Sequence, residues 1–418
     1  MNVSQIYLLL GGLGLGLSLL TFFRVRVAAP LLVPTFLIAW LRGEAVLWTL
    51  TKEILGTVAF VAYGGILEET AGRIGLGLFV LSWSVLWAVH RRALGAGREL
   101  DAGLSGMGLA QKDRVSAWHG FPNPFAFSDP AVERIHHLEY GPSLPGDQGG
   151  RNRLDVVRPR QAKSGDRRPV LLQVHGGAWM IGDKREQGRP LMTHLAREGW
   201  VCVAINYRLS PKATMPAHII DVKRAIGWIR AHIAEYGGDP DFVCITGGSA
   251  GGHLCSLAAL TTNDPRFQPG FEDVDTGVAA CVPFYGVFDF LDRAGDRPLG
   301  TMQAVAESRI FQCSAEAEPA LWDSVCPVLR VHAKAPPFFV IQGSHDSLVM
   351  VEEARTFVTA LQAASEAPVL YAELKGAQHA FDVFHSPRTE AAVRAVGTFL
   401  TEIRRRHETD GEENASAG

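Results

Sequence analysis

A serine set among small residues is the feature that most constrains the fold of this chain. Residues 247–252 read Gly-Gly-Ser-Ala-Gly-Gly, directly after a strand-like stretch, 241–246, and directly before a helix-like stretch, 253–260. Small neighbours allow a strained turn between strand and helix that lifts the serine oxygen clear of the backbone. The pattern therefore predicts a strand–turn–helix unit of an α/β fold, with Ser249 as a candidate nucleophile.

A glycine-rich run upstream of this serine predicts a binding site for negative charge. His-Gly-Gly-Ala-Trp occupies 175–179, at the end of the strand-like stretch 170–174. Small residues there let backbone N–H groups point at an oxyanion that develops during reaction. Trp179 either lines the pocket or fills the core. The predicted oxyanion-hole residues are Gly176, which supports the turn, and the N–H donors Gly177, Ala178 and Ala250.

Two further residues follow downstream in an order that suits a serine nucleophile. A serine hydroxyl is a weak nucleophile at neutral pH and needs a base within hydrogen-bond reach. His379 follows the last predicted strand and is the predicted base, with His385 as its nearby rival. Asp346 follows the preceding strand, where it would orient the imidazole, although an aspartate there also suits a turn. We therefore predict Ser249, Asp346 and His379 as the catalytic residues.

Strands and helices alternate along the rest of the chain from about residue 151. Such alternation predicts a mostly parallel sheet covered by helices on both faces. The predicted strands are 153–157, 170–174, 201–205, 243–246, 278–284, 338–341 and 369–374. The predicted helices are 217–234, 253–260, 352–363 and 389–404.

With these residues in place, about 155–405 resembles the hormone-sensitive-lipase-like branch of the α/β-hydrolase esterases, in its His-Gly-Gly-x-Trp variant. The matching segments are 174–182, 206–211, 216–217 with Asp221, and 247–254. The resemblance implies the α/β-hydrolase fold and a serine carboxylesterase or lipase that works through an acyl-enzyme. It implies neither a cofactor nor a metal. A hydrophobic block attached to such a domain is similar to membrane-associated lipases and esterases of actinobacteria.

Two positions depart from the usual pattern of that branch. Ala178 stands where a third glycine is usual, and Gly248 stands where an acidic residue usually precedes the nucleophile. Both variants recur in aryl-formamidases, which are similar in fold. An amidase of that type, or an acyltransferase, therefore stays open beside an esterase. A catalytically silent hydrolase fold that serves as a membrane binding module is the alternative from another class.

The first 92 residues are predicted to form a membrane region of two to four helices. The run 3–23 carries no charge and is long enough to span a hydrocarbon core. Prolines interrupt a second run, 27–41, and a fourth run, 74–89, ends in His-Arg-Arg. A third run, 54–67, has only about 14 residues, a length that favours interfacial placement. The basic flanks do not decide on which side of the membrane the remainder lies.

The same patterns predict the other boundaries and exclude some partners. We expect a linker or lid-like segment at 93–150 with helical turns at 131–138, and a catalytic domain at 151–406. A lid insertion at 287–335 and a disordered tail at 407–418 complete it. The net charge of −3 argues against nucleic-acid binding, which leaves a small-molecule or lipid ester and membrane lipids as partners. No cysteine has metal-ligand spacing, and Cys313 and Cys326 would pair only in an oxidising compartment.

Overall fold

An eight-stranded sheet organises the molecule, seen in a computed structural model that describes residues 1–25, 29–147, 149–295 and 301–417. The strands are β1 (Val132–Glu139), β2 (Arg153–Pro159), β3 (Arg168–Val174), β4 (Val201–Ile205), β5 (Gly238–Gly248), β6 (Ala280–Phe284), β7 (Phe338–Gly343) and β8 (Val369–Leu374). Their order across the sheet is β1-β2-β4-β3-β5-β6-β7-β8. The pairings of β2 with β1 and with β4 are antiparallel, and all the others are parallel. The predicted mostly parallel sheet is confirmed.

Helices cover this sheet and also form a separate N-terminal bundle. They are α1 (Val3–Phe22), α2 (Ala29–Glu44), α3 (Val46–Gly64), α4 (Thr70–Leu104), α5 (Arg189–Arg197), α6 (Ala217–His232), α7 (Ala250–Leu260), α8 (Thr301–Val305), α9 (Pro319–Ser324), α10 (Val351–Ala364) and α11 (Pro387–Ala417). A π-helical turn, Ala306–Phe311, follows α8. Short 3₁₀ turns lie at Ile66–Glu68, Ser105–Met107, Ile233–Tyr236, Pro265–Phe267 and Pro327–Leu329.

Alternate side chains of each central strand enter two separate cores. In β3, Leu172 belongs to the core that also includes buried residues of α6, α7 and α10, while its neighbour Leu171 belongs to the core with α5 and α11 on the opposite face. Successive side chains of a strand point to opposite faces, so a strand buried on both sides reads as a continuous apolar run. This explains why β4, Val201–Ile205, is apolar throughout and buried at every position.

Three of the described helices are long and apolar enough to cross a membrane: Val3–Phe22, Val46–Gly64 and Thr70–Met107. The expectation of a short third segment was wrong, because α3 begins at Val46 and has 19 residues. Length therefore no longer favours interfacial placement for that segment. The helix α2 has 16 residues and is the shortest of the four N-terminal helices α1 to α4. It begins at Ala29, within the second apolar run of the sequence.

The predicted boundary at residue 92 falls inside a helix. The helix α4 has 35 residues, and Leu100 and Leu104 near its end are fully buried in the core beneath α11. A Cβ atom added at Gly103 would lie 2.7 Å from the carbonyl oxygen of Tyr371 in β8. One continuous helix thus joins the N-terminal bundle to the sheet, and 93–104 is not a linker.

Four other expectations also need correction or completion. Residues 131–138 are not helical turns, since β1 occupies most of that stretch as an edge strand. The tail expected to be disordered from 407 continues α11 as far as Ala417. In the insertion 287–335, the described residues form short helices, while 296–300 lie outside the described part of the chain. Cys313 and Cys326 are free thiols.

Candidate functional site

Ser249 lies on a strained turn between β5 and α7. Its φ of 58° and ψ of −121° are unusual for a residue other than glycine, and its N–H donates to the Phe284 carbonyl oxygen at 3.0 Å. A Cβ atom added at Gly251 would lie 2.1 Å from the Val174 carbonyl oxygen. Glycine is therefore required beside the serine, because β3 and α7 approach each other too closely for any side chain. This is the turn that the sequence predicted.

Asp346 and His379 form a buried hydrogen-bonded pair at the ends of β7 and β8. The Nδ1 of His379 lies 2.7 Å from Oδ2 of Asp346, and the aspartate is fully buried. The backbone N–H groups of Leu348 and Val349 donate to Oδ1 of Asp346 at 2.9 and 2.8 Å. With Nδ1 donating to the carboxylate, the Nε2 atom of a neutral His379 keeps a free lone pair. The ring is therefore in the tautomer that can accept a proton.

Ser249 and His379 share a neighbour, Tyr285. The rings of Tyr285 and His379 lie 4.5 Å apart between centroids. A Cβ atom added at Gly248, next to the nucleophile, would lie 2.7 Å from the Tyr285 hydroxyl oxygen. No hydrogen bond joins Ser249 Oγ to His379 among the described residues, as is common before substrate binds. The fold nonetheless brings the three predicted catalytic residues to one edge of the sheet.

The predicted oxyanion loop lies against the nucleophile. A Cβ atom at Gly176 would lie 3.1 Å from the Ser249 Cβ atom, and the Gly176 N–H donates to Gln187 Oε1 at 2.7 Å. Gly177 has a φ of 117° and Ala178 a φ of 51°. Within the described part of the chain, the N–H groups of Gly177 and Ala178 donate to no protein acceptor. Gly176 thus supports the turn, while its two successors keep donors available for an oxyanion.

Trp179 belongs to the core beneath the site. Its side chain is 1 % exposed, its Nε1 donates to His253 Nδ1 at 3.1 Å, and its ring packs 4.9 Å from that of Phe290. Phe290 comes from the insertion that the sequence predicted as a lid. Of the two roles open for Trp179, the structure supports core packing over lining the pocket. The His253 imidazole is held neutral, because burial lowers its pKa to about 4.

Sequence reasoning missed a partly buried acid near His379. Asp382 accepts a hydrogen bond from the Tyr285 hydroxyl, and burial raises the pKa of its carboxyl group. The hydroxyl of Tyr285 occupies the space into which any side chain at Gly248 would project. This explains the glycine at the position where the related esterases usually carry an acid. No local signal in the sequence links residues 248, 285 and 382.

Sequence reasoning also missed the contact between α2 and the loop that carries His379. The ring of Phe36 stands edge-on to the His379 ring at 6.0 Å between centroids. One turn later, Trp40 Nε1 donates to the Ala380 carbonyl oxygen at 2.8 Å. At the end of α2, the buried Glu44 pairs with the buried Arg388 of α11. The N-terminal region therefore borders the candidate active site directly.

The rival histidine, His385, lies outside this constellation. Its Nδ1 atom faces His119 Nε2 at 3.4 Å, and its backbone N–H donates to the Pro124 carbonyl oxygen at 2.8 Å. Asp346, by contrast, is bonded to His379. Of the two histidines considered, His379 is the one that the structure places with Ser249 and Asp346.

A serine elbow on a mostly parallel sheet, followed along the chain by an aspartate and a histidine, defines the α/β-hydrolase class. The sequence matches the protein-family profile described as BD-FAE over residues 154–361. It is 45% identical to the probable carboxylic ester hydrolase LipM of Mycobacterium tuberculosis over 384 residues, which are 86% of this chain and 88% of LipM. The chain belongs to this family of esterases and is a carboxylic ester hydrolase.

Further relatives and solved structures agree with this assignment. Esterase LipC of the same organism is 39% identical over 71% of this chain and 76% of its own length. The propionate-bound esterase Est2 of Thermogutta terrifontis superposes with a TM-score of 0.52 at 26% identity. That match covers 66% of this chain and 95% of Est2. A catalytically silent module is not supported by relatives that are named esterases.

Proposed function

We propose that the chain is a membrane-anchored serine carboxylesterase or lipase, with Ser249 as nucleophile, His379 as general base and Asp346 as its partner. The observation that carries this proposal is the buried 2.7 Å contact between Asp346 and His379, at the same sheet edge as the strained Ser249 turn. The contact directs Nδ1 at the carboxylate, which leaves Nε2 as the ring nitrogen that can take the serine proton. A serine hydroxyl needs such a base in order to attack a carbonyl carbon.

The reaction follows from these positions in two halves. Ser249 Oγ attacks the ester carbonyl carbon while His379 Nε2 takes the hydroxyl proton, and the oxyanion is bound by the N–H groups of the predicted donors. The tetrahedral intermediate collapses, and the alcohol leaves with the proton from His379. Water then attacks the acyl-enzyme, gives its proton to His379, and the acid is released as Ser249 is restored. The predicted N–H donors are those of Gly177, Ala178 and Ala250.

The N-terminal bundle supports the proposal of a membrane anchor and of lipophilic substrates. Three helices have the length and apolar character of membrane spans. On α2, Leu31, Val33 and Leu41 are exposed, while Phe36 faces His379. A helix with one apolar face outward and another on the catalytic loop would place the acyl site at the lipid surface. We therefore propose acylglycerols, lysolipids or similar lipophilic esters as the substrate class.

Labelling with a fluorophosphonate tests the nucleophile directly. The full-length protein in detergent is expected to bind one probe, and Ser249→Ala is expected to bind none. Ser256→Ala is the matched control, because Ser256 lies in the same helix and its hydroxyl donates to the Gly252 carbonyl oxygen at 2.7 Å. Labelling of Ser249→Ala at the wild-type rate would refute the assignment.

Two further measurements separate the remaining alternatives. Hydrolysis of aryl esters of rising chain length, run beside an aryl formamide, compares esterase with amidase activity. We expect faster turnover of the esters, with kcat/KM rising with chain length. For the anchor, the full-length protein should remain in membranes after carbonate extraction. Release into the soluble fraction would refute anchoring without affecting the catalytic assignment.

A further inference from the structure

Three possible metal ligands meet away from the catalytic residues. His119 Nε2 lies 3.1 Å from Glu390 Oε2 and 3.4 Å from His385 Nδ1. The three ligand atoms all lie within 4.8 Å of one another. His119 follows α4, His385 precedes α11, and Glu390 is in the first turn of α11. The cluster therefore joins two segments that are more than 260 residues apart, since His119 and His385 are separated by 266 positions.

A proton does not satisfy this arrangement well. The Nε2 atom of His119 carries at most one hydrogen, yet it faces both a carboxylate oxygen and an imidazole nitrogen. One hydrogen shared between two acceptors gives two weak, bent bonds. A divalent cation in the centre would instead bind all three atoms. With metal–ligand distances of about 2.0–2.1 Å in a tetrahedron, neighbouring ligand atoms lie about 3.4 Å apart, close to both distances observed here.

The surroundings of the cluster resemble the support that a metal site needs. The second oxygen of Glu390 accepts from Arg394 Nε at 2.7 Å, which fixes the carboxylate. The His385 ring packs 5.5 Å from the Phe127 ring. A cavity of about 20 Å³ borders His119 and His385, with His90 on its wall. Such a cavity has room for one water molecule, the usual fourth ligand where three side chains bind zinc.

We propose that His119, His385 and Glu390 bind a divalent transition-metal ion of the zinc type, with water as the fourth ligand. The ion would fasten the segment after α4 to the segment that follows His379 by six residues. Its role would be to hold these segments together, and ester hydrolysis would need no contact with it. The sequence contains no ligand spacing that indicates such a site, because only two of the three residues are near each other along the chain.

Metal binding by the full-length protein tests the site without relying on activity. Protein without a polyhistidine tag is treated with chelator in detergent and titrated with Zn²⁺ by calorimetry, and with Co²⁺ by visible absorption. We expect one ion per chain and the d–d bands of a four-coordinate Co²⁺ site. His119→Ala and Glu390→Gln should each weaken Zn²⁺ binding at least 100-fold. Arg394→Ala, which loosens only the supporting hydrogen bond, should weaken it about tenfold.

His332→Ala is the control variant. It removes an exposed histidine outside the cluster and should leave the affinity for Zn²⁺ unchanged. Glu390→Gln keeps the size of the side chain, so the variant should fold correctly. Fluorophosphonate labelling at the wild-type rate would confirm that it does. If the wild type and Glu390→Gln bind Zn²⁺ with the same affinity, or if neither binds it, the proposal is wrong and the cluster is an ion pair with a neighbouring imidazole.

Discussion

Replacement of Asp346 by asparagine should abolish most of the activity while leaving the fold intact. Two backbone N–H groups, those of Leu348 and Val349, donate to Oδ1 of Asp346. In the variant these donors would hold the amide oxygen of Asn at that place, so the NH₂ group would face His379. An NH₂ group can only donate, and His379 Nδ1 would have to accept. The proton would then move to Nε2, where the imidazole can no longer act as a base.

The expected magnitude follows from this change of tautomer. The opposite amide orientation would place NH₂ against two N–H donors but keep the hydrogen bond from Gln342 Nε2, so it loses one bond net, which costs about 1 kcal/mol. The wrong tautomer is therefore favoured, and the variant also lacks the carboxylate charge that stabilises the protonated imidazole. Together these losses should lower kcat by about 10⁴-fold, equivalent to about 5 kcal/mol in the barrier. Steady-state hydrolysis of an aryl ester and a melting curve measure both effects. Asp241→Asn, at an exposed aspartate, is the control. A loss below tenfold in a correctly folded protein would refute this reasoning.

Three further predictions follow from other contacts. Gly248→Ala should lower stability by about 1–3 kcal/mol and reduce kcat, since its Cβ atom would meet the Tyr285 hydroxyl oxygen at 2.7 Å and two Tyr285 ring carbons at 2.8 and 2.9 Å. Tyr285→Phe in the same chain keeps those carbons and should restore little of either, so full rescue would count against a clash with the ring. Phe36→Ala should shift the dependence of kcat/KM on ester chain length toward bulkier esters, whereas Leu37→Ala, at an exposed position, should not. If Phe36→Ala and the wild type show the same dependence, Phe36 does not line the acyl site. The folded pKa of His253 is lowered by burial to about 4 from 6.5, so the unfolded chain binds its proton first. The free energy of unfolding should therefore fall between pH 6.5 and pH 4, by about 3 kcal/mol for this group, and urea titrations of the wild type and His253→Gln should show a smaller fall in the variant.

The candidate site could be predicted because its signals are local. Each predicted catalytic residue follows the end of a strand within five residues, and parallel strands bring their carboxyl ends to one edge. The apolar run Val201–Ile205 coincides with the observed β4. By contrast, β1 is an edge strand that includes Glu133 and Arg134 and has no fully buried position. Without a buried face there is no hydrophobic alternation, so no pattern in this segment predicts a strand.

The errors in the N-terminal region have a different physical cause. The sequence pattern interrupted the second run at Arg42 and Glu44, continued it over residues 45–50, and began the third run after Glu53, because charges interrupt hydropathy. In the structure these two residues pair with each other, with Arg42 Nη2 2.8 Å from Glu53 Oε1. A charge that is neutralised by a partner on another helix can stay inside an apolar bundle. That partner is not visible in a window of consecutive residues, so α3 was predicted too short.

Buried partners from distant parts of the chain also join the N-terminal bundle and the catalytic domain into one structural unit rather than two domains with a linker. Glu44 of α2 and Arg388 of α11 are both buried, and Ser386 Oγ donates to the same glutamate at 2.9 Å. Removing one member of a buried ion pair leaves the other charge without a partner and costs about 3–5 kcal/mol. A chain cut at residue 92 would lose Glu44, and would also expose the core that Leu100 and Leu104 fill from a truncated α4. The loop between His379 and Arg388 would lose its contacts with Phe36 and Trp40 at the same time. Since these losses fall on the loop that carries His379, the proposed base, the N-terminal helices stabilise the candidate active site.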